Sequence, residues 1–399
     1  MGLFETAMGA HKFSFSVRLT AFALVALVTA FLMEAGARLV FALEEEIRRS
    51  HLLSYPFRRT LALDPYEMPS PDIGYHWVLR PGYRASIRRL ASEKDAAGSV
   101  ISAPALAEQV ASGNAEMELR INSTGFKGPE VDHGHSRFRI LTLGDSTTFG
   151  LGSVGYPEAL AERLNRDGAT VEVINGGVEG YTPRNILYEI DRYKALKPEL
   201  VTLYIGWNAL FAEEIPEDWW ERHLQVFRVA QKSLRAWRRM VVGQRQYAMQ
   251  MYHRDLRPDR AAAAAFIASY RPSFMERIEL IVDEFTAAGS RVVLVTLPGL
   301  FVSSEEPSRR ALRIGHVPEF TTNPFVLAAM SERYNEALRA FAARRRLTVI
   351  DLARWSEEAL RPREDYFLDS VHLTREGQNM IGEFMAEKLA AAVGDGRGR

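Results

Sequence analysis

The second half of the chain alternates short apolar runs with amphipathic stretches. Runs at 139–143, 171–174, 200–205, 291–297 and 347–352 are mostly continuous rather than alternating, as strands buried on both faces require. Between them, 157–166 and 183–196 have helical spacing; Met330, Tyr334, Leu338 and Phe341 form one apolar face, and Ile381, Phe384, Met385 and Leu389 form another. Five strands joined by crossover helices predict an α/β chain folded as a three-layer α/β/α sandwich around a five-stranded parallel sheet.

Two stretches break this alternation. Residues 211–270 are too long for a simple connection and read as a helical insertion carrying Trp219, Trp220 and Trp237. Within it, Arg228, Lys232, Arg235 and Arg239 fall on one helical face, and Phe227, Leu234, Trp237 and Val241 on another. That pattern suits a helix lying on a membrane surface or holding an anionic polymer, or a solvated basic face whose apolar side packs on the domain. In the stretch 44–137, residues 50–136 have prolines at 56, 65, 69, 71, 81, 104 and 129 and no sustained helical period. They read as a linker and a small β-rich lead-in with strand-like segments at 73–83 and 119–130, separated by a flexible or partly helical 91–116.

At the N-terminus, 19–33 is apolar except for Thr20 and Thr29 and follows Lys12 and Arg18. It predicts a cytoplasmic tail and transmembrane anchor over 1–43, with the α/β part, 138–399, on the extracytoplasmic side. Ala35-Gly36-Ala37 would also suit a signal-peptidase site, so a removed signal sequence is the alternative.

Composition narrows the chemistry. Among 399 residues, 50 Lys+Arg balance 50 Asp+Glu, so overall charge does not suggest a nucleic-acid partner. The chain has 0 cysteines, which excludes a thiol nucleophile, a cysteine zinc site and a disulfide framework. Apart from His133-Gly134-His135, the histidines lack metal-ligand spacing, and neither a metal nor a cofactor is expected. Gly150 to Gly155 matches GxGxxG, but Asp145-Ser146 occupies the first turn and Asn175, rather than an acid, ends the second strand, unlike a dinucleotide fold.

The candidate chemistry lies at strand ends. Gly144-Asp145-Ser146 closes the first run, and a serine there faces the crevice where open α/β sheets bind ligands. Asn175 to Thr182 (NGGVEGYT) follows the second run, Gly206-Trp207-Asn208 the third, and Asp369-Ser370-Val371-His372 precedes the last helix. With these four blocks the chain resembles the SGNH/GDSL hydrolase superfamily over roughly 138–393. The resemblance implies a flavodoxin-like SGNH fold with Ser146 as nucleophile, His372 as base and Asp369 as its orienter. It also implies an oxyanion hole built from Ser146, Gly180 and Asn208. The first block has Thr147 where leucine is common, and Ala209 replaces an aspartate that often follows the third-block asparagine.

The expected activity is that of a membrane-anchored serine esterase or deacylase acting on an acyl ester, with carbohydrate-linked esters among the candidate substrates. The same triad would serve an O-acyltransferase of envelope or exported polysaccharide. A non-catalytic carbohydrate-binding or assembly factor on this fold is the third reading.

Overall fold

The computed structural model describes residues 15–50, 63–97, 106, 107, 109–150, 155–166, 170–213, 223–242, 254–268 and 270–395. His11, His51, Trp219, Trp220, His253 and residues 151–154 of the GxGxxG match lie outside these residues.

Two small antiparallel pairs precede the main sheet. β1 (Glu67–Pro69) pairs with β2 (Trp77–Leu79), and β3 (Arg84–Ser86) with β4 (Glu118–Arg120). An Ile87–Ala97 helix follows β3. Tyr66, Leu79, Ile87, Leu119, Ile121 and Phe126 join the same apolar core as the main domain, and Lys127 forms a β-bridge to Asn175.

The main sheet is parallel and five-stranded. β5 (Phe138–Gly144), β6 (Val171–Gly177), β7 (Leu200–Tyr204), β8 (Arg291–Val295) and β9 (Thr348–Ile350) lie in the order β6-β5-β7-β8-β9. All five residues of β7 and the last six of β5 are buried, which explains why these strands read as unbroken apolar runs. Right-handed crossovers in this order put the Tyr156–Arg166 and Arg375–Asp395 helices, which pack together, on one face. The Pro183–Tyr188, Met275–Ala287 and Pro324–Arg345 helices cover the other. Strand order reverses between β5 and β7, the switch point at which an α/β crevice opens.

The predicted 183–196 helix is two helices, Pro183–Tyr188 and Ile190–Ala195, with Glu189 between them. The Glu189 carboxylate turns to His76 and Arg192, each at 3.1 Å, contacts made between segments far apart in sequence or across the break.

Phe15–Ala42 is one continuous helix, and among the described residues it alone is long and apolar enough to cross a membrane. Its side chains are largely uncovered; Phe22 and Phe31 are each 72% exposed. Within the insertion, the Gln225–Val242 helix begins against it. Glu34 accepts the Gln225 and Val226 backbone N–H groups, both at 3.1 Å, and Arg38 donates to the His223 carbonyl at 3.1 Å. Phe227, Leu234, Trp237 and Val241 remain exposed, so that apolar side is not packed on the domain; the side chains of Lys232, Arg235 and Arg239 are outside the described residues.

Candidate active site

The first three motif blocks emerge side by side because the strands carrying them are in register: Gly144 at the end of β5 pairs with Gly177 of β6 and Tyr204 of β7. Beyond Gly144 the chain turns sharply into the Ser146–Phe149 helix, capped by Asp145. Asp145 Oδ1 accepts the Thr147 backbone N–H at 2.9 Å and its hydroxyl at 2.8 Å. Thr147, where leucine is common in the resembled family, thus helps tie the turn. Burial pushes the Asp145 carboxyl upward, against these hydrogen bonds. β6 passes so closely behind that a Cβ on Gly177 would collide with the Phe149 amide.

Ser146 O–H donates to His372 Nε2 at 2.7 Å across 226 residues of sequence. On the other side of the ring, His372 Nδ1 meets Asp369 Oδ2 at 2.7 Å. Asp369 Oδ1 accepts the backbone N–H groups of Val371 and His372, each at 2.8 Å. A proton held on Nδ1 by the carboxylate leaves Nε2 free to accept from the serine. Asp369 and His372 are buried, while Ser146 is half-buried and faces outward.

Electrostatics match this arrangement. Burial alone would raise the Asp369 carboxyl, but His372, His316 and the hydrogen bonds from His372 outweigh it and hold Asp369 far below the usual range. Burial opposes the His372 charge, yet the Asp369 carboxylate prevails and raises its pKa. His316 packs at 5.0 Å from the Phe211 ring and donates its backbone N–H to Ser370 Oγ at 2.8 Å; burial lowers its own pKa to about 4.

The remaining blocks join the same rim. Val178 N–H donates to the Gly144 carbonyl at 3.3 Å, tying the second block to the first. Asn208 Nδ2 donates to the Tyr181 carbonyl at 3.1 Å, tying the third to the second and leaving its other N–H for a ligand. Asn208 sits on the Trp207–Ala212 helix, and the preceding Ile205 carbonyl accepts the Tyr334 hydroxyl at 2.7 Å. This support does not involve position 209, where a buried alanine stands in place of the aspartate. Gly180 takes φ +76°, a left-handed conformation that L side chains rarely adopt. Among the described residues, the backbone N–H groups of Ser146 and Gly180 have no acceptor. No group of three or more His, Asp or Glu among the described residues is placed to hold a metal.

Ser146, His372 and Asp369 thus form one hydrogen-bonded line, Asn208 is tied to the Tyr181 carbonyl, and Gly180 precedes that tyrosine with its N–H unspent. Asp145, Tyr181 and His316 also support this arrangement and were missed. Asp145 carried a visible signal, an acidic residue directly before a strand-end helix; the other two act through contacts that leave no local pattern.

A sequence model of the GDSL-like lipase/acylhydrolase family matches residues 142–380. The chain belongs to this family. It is accordingly an SGNH/GDSL-type serine hydrolase, and the matched span contains all four strand-end blocks. The lead-in and the Phe15–Ala42 helix lie outside it. Among solved structures, a lipase/acylhydrolase from Enterococcus faecalis is 18% identical, covering 64% of this chain and 96% of that one, with a TM-score of 0.39. A catalytic mutant of an acetylxylan esterase from Geobacillus stearothermophilus is 15% identical, covering 64% and 94%, with a TM-score of 0.40. No curated protein matches.

Proposed function

We propose that this GDSL-family hydrolase is a membrane-anchored esterase or deacylase that cleaves an O-acyl ester through an acyl-enzyme on Ser146. The observation that carries this reading is the unbroken line from Ser146 Oγ through the His372 ring to Asp369, with both contacts at 2.7 Å. A neutral serine hydroxyl is a poor nucleophile at neutral pH, and an adjacent oriented base remedies that.

In the first step Ser146 Oγ bonds to the ester carbonyl carbon as its proton passes to His372 Nε2. Asp369 stabilises the resulting imidazolium without taking its proton. Charge then gathers on the former carbonyl oxygen, where the Ser146 and Gly180 backbone N–H groups and the spare Asn208 N–H would donate. Collapse expels the alcohol, which leaves with the proton from His372, and Ser146 remains acylated. Water then gives a proton to His372, attacks the acyl carbon and releases the acid; the proton returns to Ser146.

The Phe15–Ala42 helix supports anchoring in the membrane, and Lys12 before it and Arg18 in its first turn support an extracytoplasmic catalytic domain. A fluorophosphonate probe tests the mechanism: it should label Ser146, and Ser146→Ala should abolish both labelling and hydrolysis of a short p-nitrophenyl ester. Retained hydrolysis in that variant would discard the assigned nucleophile. Product analysis with and without an acceptor sugar separates hydrolysis from acyl transfer.

A further inference from the structure

Outside the family match, the lead-in grips the three residues 179–181 at several points. Trp77 Nε1–H donates to the Glu179 carbonyl at 3.1 Å, and Tyr181 O–H donates to the Trp77 carbonyl at 2.7 Å. Lys94, whose side chain is 1% exposed, places Nζ 3.1 Å from the Glu179 carboxylate and 3.2 Å from that of Asp64. The Trp77 ring also closes the space over Gly180, where a Cβ would come within 3.0 Å of it.

These contacts fall on the peptide that matters for the oxyanion. The Glu179 carbonyl and the Gly180 N–H belong to one planar unit, so fixing the oxygen fixes the direction of the N–H on its opposite side. A hydrogen bond accepted at that carbonyl also polarises the N–H and makes it a better donor. Tyr181, hooked to the Trp77 backbone by its hydroxyl, presents the carbonyl that holds Asn208 at 3.1 Å. One short segment thus orients two donors, and the lead-in orients the segment.

We propose that Trp77 and Lys94 are positioning residues for ester cleavage, holding 179–181 so that the Gly180 N–H and the Asn208 amide face the developing oxyanion. This rests on the reading of Ser146, Gly180 and Asn208 given above. The lead-in then contributes to the active site as well as to the core.

The test uses the full chain, a short p-nitrophenyl ester and phenylboronic acid, whose serine adduct is tetrahedral and anionic like the transition state. Trp77→Phe keeps an aromatic side chain but removes the N–H together with part of the indole that packs over Gly180. Its kcat should fall about 10-fold with KM within about 2-fold. The boronate Ki should rise in step with the loss of kcat and by more than KM, a pattern that lost packing alone does not produce. Lys94→Met should act in the same direction. Unchanged kcat in Trp77→Phe overturns the proposal, as does a loss of kcat that comes with a lowered melting temperature and an unchanged ratio of boronate Ki to KM. A Ser146→Ala control separates the two levels. If it is inactive while Trp77→Phe is fully active, only the positioning role falls; if it retains turnover, the site assignment and this inference fall together.

Discussion

The Asp369 carboxylate serves His372 twice: Oδ2 meets the ring Nδ1 at 2.7 Å, and Oδ1 accepts the His372 backbone N–H at 2.8 Å. The two oxygens therefore do separable work, one orienting the base and the other shaping its loop. Asn at this position keeps an oxygen for the backbone amides but turns an N–H₂ toward Nδ1, forcing the ring proton onto Nε2. A protonated Nε2 cannot accept from Ser146. Asp369→Asn should lower kcat by about 10³- to 10⁴-fold, whereas its stability should fall by only about 1 kcal/mol. Steady-state kinetics beside thermal unfolding check this. If melting collapses while the folded fraction still turns over normally, Asp369 is structural.

The same pair makes activity and stability depend on pH in different windows. His372 must be neutral to act as base, and its raised pKa puts the acid limb of kcat/KM above the ordinary histidine value of about 6.5. Because the folded pKa of His372 is raised, its stabilising contribution is complete below about 6.5 and is lost as pH rises through the folded value. Asp369 is depressed, so its contribution is complete above about 4 and is lost as pH falls through its folded value. The pair should stabilise the fold most between about pH 4 and 6.5, where most of the base is still protonated. Rate and melting profiles measured across pH should therefore be offset, and Asp369→Asn should move the acid limb downward. A limb at or below 6.5 in the unaltered protein would contradict the assigned pair.

How far the sequence revealed the site follows from the range of the interactions involved. Strands β5, β6 and β7 were readable because burial on both faces leaves continuous apolar runs, and their ends located Ser146, Gly180 and Asn208. The Asp369–His372 pair was readable because three residues on one loop suffice to bring them together. The break at Glu189 was not, since it turns that carboxylate toward His76, 113 residues away in sequence. Nor were Trp77 and Lys94: their partners lie 102 and 85 residues downstream, in a segment without regular periodicity.

Asn208 offers a cleaner measure of the oxyanion contribution than Gly180, whose φ of +76° would make any substitution strain the backbone. Asn208→Ala removes a side-chain donor and the bond to the Tyr181 carbonyl while leaving the Trp207–Ala212 helix a residue of higher helix propensity. kcat should drop about 10²- to 10³-fold with little change in KM, the pattern of a donor used in the transition state. A KM effect with kcat preserved would instead make Asn208 a ground-state binding residue.

Removing residues 1–43 should release the protein from membranes and leave ester hydrolysis within about 2-fold, because the Phe15–Ala42 helix makes none of the contacts that assemble the catalytic network. The cut has to stop there. Glu44 and Glu45 lie 3.2 and 3.6 Å from Arg184, on the helix that follows the second motif block, and deleting them would loosen that helix. The cost of the truncation should appear elsewhere. Glu34 caps the Gln225–Val242 helix by accepting two of its first N–H groups, and loss of such a cap costs about 1 kcal/mol of helix stability. Limited proteolysis should therefore cut the truncated protein faster within 225–242, and Glu34→Ala in the full chain should reproduce that sensitivity without releasing the membrane. Co-sedimentation with vesicles completes the test: a truncated protein that still pellets with them would show that the anchor is not confined to residues 1–43.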